Sequence, residues 1–184
     1  RSSLVGSEMC IRDRQFIFRM REFEQMEMQF FVRPGTELEW YEKWKEIRLK
    51  WHQSLGLGND LYRFHDHKNL AHYANAACDI EFKFPMGFKE LEGIHSRTDF
   101  DLKKHQEKSN KKMVYFDQKS GSSFIPYVVE TSIGLDRLFL SVLSSCYVEE
   151  KLDDGSNGVF LNLPFEISPC LLYTSDAADE SLGV

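Results

Sequence analysis

Apolar and polar residues alternate along the segment from Phe16 to Val32. The even positions carry Phe16, Phe18, Met20, Glu22, Glu24, Met26, Met28, Phe30 and Val32. The odd positions carry Ile17, Arg19, Arg21, Phe23, Gln25, Glu27, Gln29 and Phe31. A period of two predicts a strand with one largely apolar face on a core. The other face presents, in order, two cations, a ring, an amide and a carboxylate. A helix would gather Phe16, Met20, Phe23 and Phe30 into a stripe, but Phe30, Phe31 and Val32 in succession break it. Arg33-Pro34-Gly35 ends the strand with a turn.

The period then changes. In "GTELEWYEKWKEIRLKWHQSLGLG", Trp40, Trp44, Ile47, Trp51 and Leu55 recur at steps of three and four, which predicts a helix with an aromatic stripe on the core. Thr36 with Glu39 reads as a capping box at its start, and Gly56 as its C-terminal cap. "NLAHYANAACD" (Asn69 to Asp79) reads as a second helix. "DIEFKF" alternates Ile80, Phe82 and Phe84 with Glu81 and Lys83, a strand; Pro85-Met86-Gly87 turns it into a further strand, "FKELEGI". A short polar helix is expected from about Thr98 in "TDFDLKKHQEK". "NKKMVYFDQKSGSS" reads as a hairpin or loop carrying a basic run. "SFIPYVVETS" reads as a strand, and "IGLDRLFLSVLSSCYVEE" as a helix burying Leu135, Leu138, Phe139, Val142 and Leu143. Strands with intervening helices, and few long apolar runs of the parallel-sheet kind, predict an α+β domain on a mostly antiparallel sheet.

Composition narrows the function classes. A chain of 184 residues with 42% hydrophobic and 14% aromatic residues can bury one core. Its formal charge of −6 offers no global attraction for a polyanion, so any phosphate contact must come from local arginines. Cys10, Cys78, Cys146 and Cys170 show no CxxC spacing and read as thiols of a reducing compartment. With no membrane-length apolar run and no signal-peptide pattern, a cytoplasmic protein is expected. Both ends look foreign: "SEMCIRDR" and "LLYTSDAADE" resemble translated adapter sequence. The expected organisation is therefore an artefactual leader over 1–14, a main domain over 15–150, a linker and the start of another domain over 151–169, and an artefactual tail over 170–184.

Three places combine charge with an unusual setting. The first is the strand already described. In the second, "KELEGI", strand alternation puts Glu90 and Glu92 on one face, which suits a divalent metal, an amine or a hydroxyl, or simply solvent. In the third, "ETSIGLDR", a strand delivers Glu130 and Ser132 to one face, Gly134 allows a close turn, and Arg137 falls in the first turn of a helix. A cation there opposes the helix dipole, so either a bound anion or an acidic partner is needed to explain it. His65, His67 and His72 cluster in sequence, but their spacing matches no common zinc pattern.

"FRMREFEQMEMQFF", "FKELEGIHSRTDFDLKKHQE" and "IPYVVETSIGLDR", in that order, closely resemble the catalytic domain of the glycine–tRNA ligases of the dimeric class II type. The resemblance extends over about residues 15–169, and implies a partial class II catalytic domain over 15–150 followed by a linker and the start of an anticodon-binding domain over 151–169. It implies a class II aminoacyl-tRNA synthetase-like fold, a six-stranded antiparallel sheet flanked by helices, here partial. ATP and Mg2+ would be required, glycine and tRNA(Gly) would be the other substrates, and the parent protein would be a homodimer with no membrane association.

The residue roles follow from the same resemblance. Phe18, Arg19, Met20, Arg21, Glu22 and Phe23 match the nucleotide-contacting segment, with Arg19 along the phosphates and Phe23 stacked on adenine. Phe23, Glu24, Gln25, Met26 and Glu27 match the amino-acid segment, with Glu27 on the glycine ammonium. Glu90 and Leu91 match a further ATP-contacting pair. Glu130, Thr131, Ser132, Ile133 and Gly134 match the second glycine-contacting segment, and Gly134, Leu135, Asp136 and Arg137 the third family motif. Arg19 and Arg137 would be the catalytic cations, and Glu90 and Glu130 the magnesium ligands. The Arg-Asn-Glu strand that precedes this segment in the family is replaced here by "SEMCIRDR", and the family's main dimer-forming motif is absent. This chain alone is therefore expected to be weakly active or inactive. The alternative is a non-catalytic synthetase-like protein that binds nucleotide or RNA.

Overall fold

The computed structural model describes residues 16–152 and 155–169. The elements are β1 (Gln25–Val32), α1 (Glu37–Ser54), β2 (Tyr62–Asp66), β3 (Ala76–Phe84), β4 (Gly87–Thr98), α2 (Phe100–Ser109), β5 (Tyr115–Asp117), β6 (Ser122–Phe124), β7 (Tyr127–Gly134), α3 (Leu135–Cys146), β8 (Tyr147–Lys151) and β9 (Asn157–Leu161). Five strands form one antiparallel sheet in the order β1-β7-β4-β3-β2. β5–β6 and β8–β9 are separate hairpins. The α+β expectation holds, with five strands among the described residues where the resemblance implies six. No helix among the described residues is long and apolar enough to cross a membrane.

The core lies between the sheet and α1. Cys78, Ile80, Phe82 and Phe84 of β3, Leu91 and Ile94 of β4, and Val129 and Ile133 of β7 meet Tyr41 and its neighbours. Phe30 of β1 packs on Trp40 and Trp44 at ring separations of 4.8 and 5.4 Å. One polar network crosses this interface. Glu92, fully buried, accepts hydrogen bonds from Arg48 Nε at 2.6 Å, Arg48 Nη2 at 3.1 Å and His52 Nε2 at 2.6 Å. Burial pushes the Glu92 carboxyl up, but the bonds from His52 and Arg48 outweigh it and hold the group below the ordinary carboxylate range.

Several expectations are corrected. The first strand starts at Gln25, not Phe16, because its partner β7 ends at Gly134, opposite Gln25. Upstream the chain has no ladder to join; it makes a 3-10 turn over Phe16–Phe18 and packs the Phe18 ring edge-on against Phe84, 5.3 Å away. Asn69 to Asp79 is no helix: Ala76 to Asp79 belong to β3, which is paired on both edges by β2 and β4, and that pairing overrides the local helix propensity of its alanines. β2 escaped the sequence reading altogether. The stripe of α1 is rotated, with Glu37, Tyr41 and His52 buried while Ile47 and Trp51 are exposed. Its capping box does not form: Thr36 donates to the Arg33 carbonyl at 2.8 Å, Glu37 accepts from the Gly35 N–H, and Glu39 pairs with Lys43. Gly56, at φ +75°, does follow the helix end. α3 buries Ser141 and Cys146 and leaves Leu135 and Phe139 exposed, and it stops at Cys146 where β8 begins.

Candidate functional site

β7 runs directly into α3. Gly134 keeps an extended conformation (φ −80°, ψ 127°), and the helix starts at the next residue. The Leu135 N–H donates to the Glu24 carbonyl at 2.9 Å, which ties this junction to the approach to β1. Around the junction lies a cavity of about 350 Å³ lined by Ile17, Phe18, Arg19, Met20, Phe23 and Gln25 from the first segment, Glu90 and Leu91 from β4, and Ser132, Gly134, Asp136 and Arg137 from β7 and α3. Residues 119 positions apart thus share one wall: Arg137 Nε donates to the Phe18 carbonyl at 3.3 Å.

Arg137 is fixed from three sides. Its Nη1 donates to the Glu90 carbonyl at 3.0 Å and lies 3.1 Å from Glu90 Oε2, and its guanidinium stands 4.4 Å from the centre of the Phe18 ring. An acidic partner therefore offsets the unfavourable dipole of the first helical turn, and the same cation faces the cavity. Arg19 is exposed on the cavity wall and has no ion-pair partner among the described residues. The lining carries two arginines, one of them held, at the N-terminal end of α3, which is a setting for phosphate oxygens.

A second row of polar groups adjoins the cavity. Strand register places Glu27 opposite Ser132, and Ser132 opposite Gly93; one step along, Gln29 faces Glu130, and Glu130 faces His95. Gln25 Nε2 donates to Ser132 Oγ, and Gln29 Nε2 donates to Glu130 Oε2. Glu130 is buried, with its other oxygen accepting from Arg97 Nη1 at 3.1 Å. His95 Nδ1 sits 3.8 Å from the same oxygen. Burial pushes the His95 ring below its usual value, against the opposing pull of Glu130 and Asp79. Glu27, by contrast, is exposed on this face and its carboxylate has no hydrogen-bond or ion-pair partner among the described residues.

The structure gathers most of the sequence-designated residues and separates some. Phe18, Arg19, Met20, Phe23, Gln25, Glu90, Leu91, Ser132, Gly134, Asp136 and Arg137 line the cavity together; Arg21, Glu22 and Leu135 do not line it. Glu24 contributes its carbonyl to the junction, and Met26 is exposed. Thr131 and Ile133 are buried, on the side of β7 opposite Glu130 and Ser132. Glu90 and Glu92 do not share a face as alternation suggested. A bulge between Ile80 and Glu81 leaves Leu91 without a partner in the ladder, so Glu92 turns to α1 and Glu90 to the cavity. His67 pairs with Asp79 at 2.8 Å, and His65 lies 3.6 Å from Glu81.

The two acids expected to share magnesium differ in fitness. Glu130 has both oxygens engaged. Glu90 is half exposed at the cavity, with one oxygen on Arg137, and its other oxygen suits a cation otherwise held by phosphate and water. No group of three acidic, histidine or cysteine side chains among the described residues could hold a metal by itself. Sequence reasoning did not assign roles to Ile17, Gln29, His95 or Arg97. The alternation of β1 already placed Gln29 on the Glu27 face.

No family model matches the chain. Among curated proteins it is similar to the glycine–tRNA ligase of Chlorobaculum tepidum, with 54% identity over 155 residues that cover 84% of this chain and 33% of the relative. It is 51% identical to that of Treponema denticola over 147 residues, 78% of this chain and 33% of the relative. It is 46% identical to that of Geobacillus thermodenitrificans over 156 residues, 84% of this chain and 34% of the relative. The chain spans about a third of the length of the curated relatives it matches.

Proposed function

From its homology over most of its length to about a third of the length of curated glycine–tRNA ligases, we propose that the chain carries the adenylate-forming pocket of such an enzyme. The observation that carries this reading is the convergence of three distant segments, at Phe18–Phe23, Glu90–Leu91 and Gly134–Arg137, on one cavity with two arginines. The row of Glu27, Ser132 and Glu130 beside it supplies carboxylates for an amine.

In this reading ATP lies in the cavity with its adenine against Phe23 and its phosphates between Arg19 and Arg137. Glycine sits along the β1–β7 row with its ammonium toward Glu27 and Glu130. A glycine carboxylate oxygen attacks the α-phosphorus, the bond to the β-phosphate breaks, and pyrophosphate leaves. The 3′-terminal hydroxyl of tRNA(Gly) then attacks the carbonyl of the mixed anhydride, and AMP leaves. Chemistry of this kind depends on positioning and on neutralising charge more than on a general base. Arg137, clamped by Glu90 and Phe18, offers a cation whose orientation is set before substrate arrives. Magnesium, held at Glu90, would neutralise phosphate charge and aid departure of pyrophosphate. A class II synthetase-like fold, a homodimeric parent protein and a cytoplasmic location belong to the same proposal.

The test is glycine-dependent exchange of labelled pyrophosphate into ATP, measured on this chain and on a form extended to the length of its relatives. Exchange with glycine but not alanine, abolished by Glu27→Ala and by Arg137→Ala, supports the ligase. ATP binding without any exchange in the folded, extended form would leave a nucleotide-binding protein and refute it.

A further inference from the structure

Glu130 is held by a device that extends away from the cavity. Arg97 binds it through Nη1 at 3.1 Å and turns its Nε and Nη2 onto Asp101 at 2.7 and 3.2 Å. The Arg97 side chain is about one-fifth exposed. The backbone is bent to make this arrangement. A register shift lies between Ser96 and Thr98, so that Arg97 is the bulged residue of β4. Thr98 then adopts φ +57°, a left-handed conformation that a β-branched residue rarely takes. α2 begins two residues later and brings Asp101 under the guanidinium, while the Tyr73 ring covers it at 4.3 Å. A bulge and a strained threonine at the same joint are local costs that the fold retains, and what they achieve is the aim of Arg97.

We infer that Arg97 and Asp101 are positioning residues that set both the orientation and the net charge of the amine-binding Glu130. This rests on the reading of Glu130 as a ligand for the glycine ammonium. An ionised carboxylate has about four lone-pair directions. Arg97 and Gln29 take one on each oxygen, which fixes the plane of the carboxylate and leaves one further acceptor position on each. The charge count is as important. Glu130 and Arg97 alone would cancel and leave little attraction for an ammonium. Asp101 takes two of the guanidinium's hydrogen bonds, so the trio of Glu130, Arg97 and Asp101 keeps a net charge of about −1. Hydrogen bonding to Asp101 pushes the Arg97 guanidinium further up, with burial opposing and the Glu130 charge adding, so the cation stays charged. The His95 ring also flanks Glu130, with Nδ1 3.8 Å from the oxygen that Arg97 binds.

The test uses the 184-residue chain and two probes in titration calorimetry, the N-acetyl and N-glycyl forms of 5′-O-sulfamoyladenosine, which differ only in the amine. In the wild type the glycyl form binds more tightly. Asp101→Asn, which keeps the size of the side chain and removes its charge, is expected to cut that increment roughly fivefold with adenosine affinity unchanged. Arg97→Met is expected to cut it about tenfold or more, with partial recovery in Arg97→Lys. A structural role alone would weaken both probes together or lower the thermal midpoint without touching the increment. Should Arg97→Met fail to fold, Asp101→Asn carries the test. Retention of the full increment in folded variants overturns the inference alone. Absence of any increment in the wild-type chain overturns the reading of Glu130 on which it rests.

Discussion

Replacing Arg48 by methionine should destabilise the protein far more than an ordinary surface substitution. Arg48 belongs to α1 and Glu92 to β4, and Glu92 is fully buried with Arg48 about one-fifth exposed. Removing one partner of a buried ion pair strands the other charge in a poorly solvating interior, at a cost of about 3–5 kcal/mol. His52 stays at 2.6 Å and still donates to Glu92, so the lower end applies, about 3 kcal/mol. Against a total stability of about 5–15 kcal/mol this is a large share. With an m-value of about 1.5–2 kcal/mol/M in urea, the midpoint should fall by about 1.5–2 M, read by circular dichroism at pH 7. The pH dependence has a definite sign. The Glu92 carboxyl is held down in the folded state, so its contribution is complete above the unfolded value of about 4.3 and disappears as pH falls through the lower folded value. The double variant Arg48→Met, Glu92→Leu removes both charges and should recover most of the loss. A midpoint shift below about 0.3 M for the single variant, or no recovery in the double, would refute the argument that an unpaired buried charge is the cause.

Two further outcomes follow from packing. A Cβ on Gly93 would stand 2.8 Å from Cε1 of His95, so Gly93→Ala must displace that ring; a loss of about 1 kcal/mol in thermal unfolding and a weakened glycyl probe are expected, whereas an unshifted His95 resonance would contradict it. Burial raises the Cys78 thiol to about 11 and pushes the Cys146 thiol up as well, so both should resist a thiolate-directed reagent at pH 8 in the folded protein and react on unfolding; mass mapping of fast labelling at Cys78 would refute this.

The residue pattern alone determined the kinds of element and their polarity wherever a segment repeats its period for several turns or pleats. Ile80, Phe82 and Phe84 alternate and form a strand, and the run after Gly35 forms α1. The candidate site was legible as a set of segments, because residues of "FRMREF" and "ETSIGLDR" that are unusual in their local settings line one cavity. Period does not say how far an element extends or which side of it is covered, since those depend on partners far away in the chain. β1 stops where β7 stops, α1 turns its aromatic stripe partly outward because Glu92 holds Arg48 and His52 inward, and a bulge at Leu91 divides two acids that alternation would have paired. Tertiary structure alone placed Arg97 on Glu130 and Arg137 under Phe18. Such contacts depend on the three-dimensional course of the backbone at a bulge or a strand–helix junction, and a local sequence pattern does not encode that course.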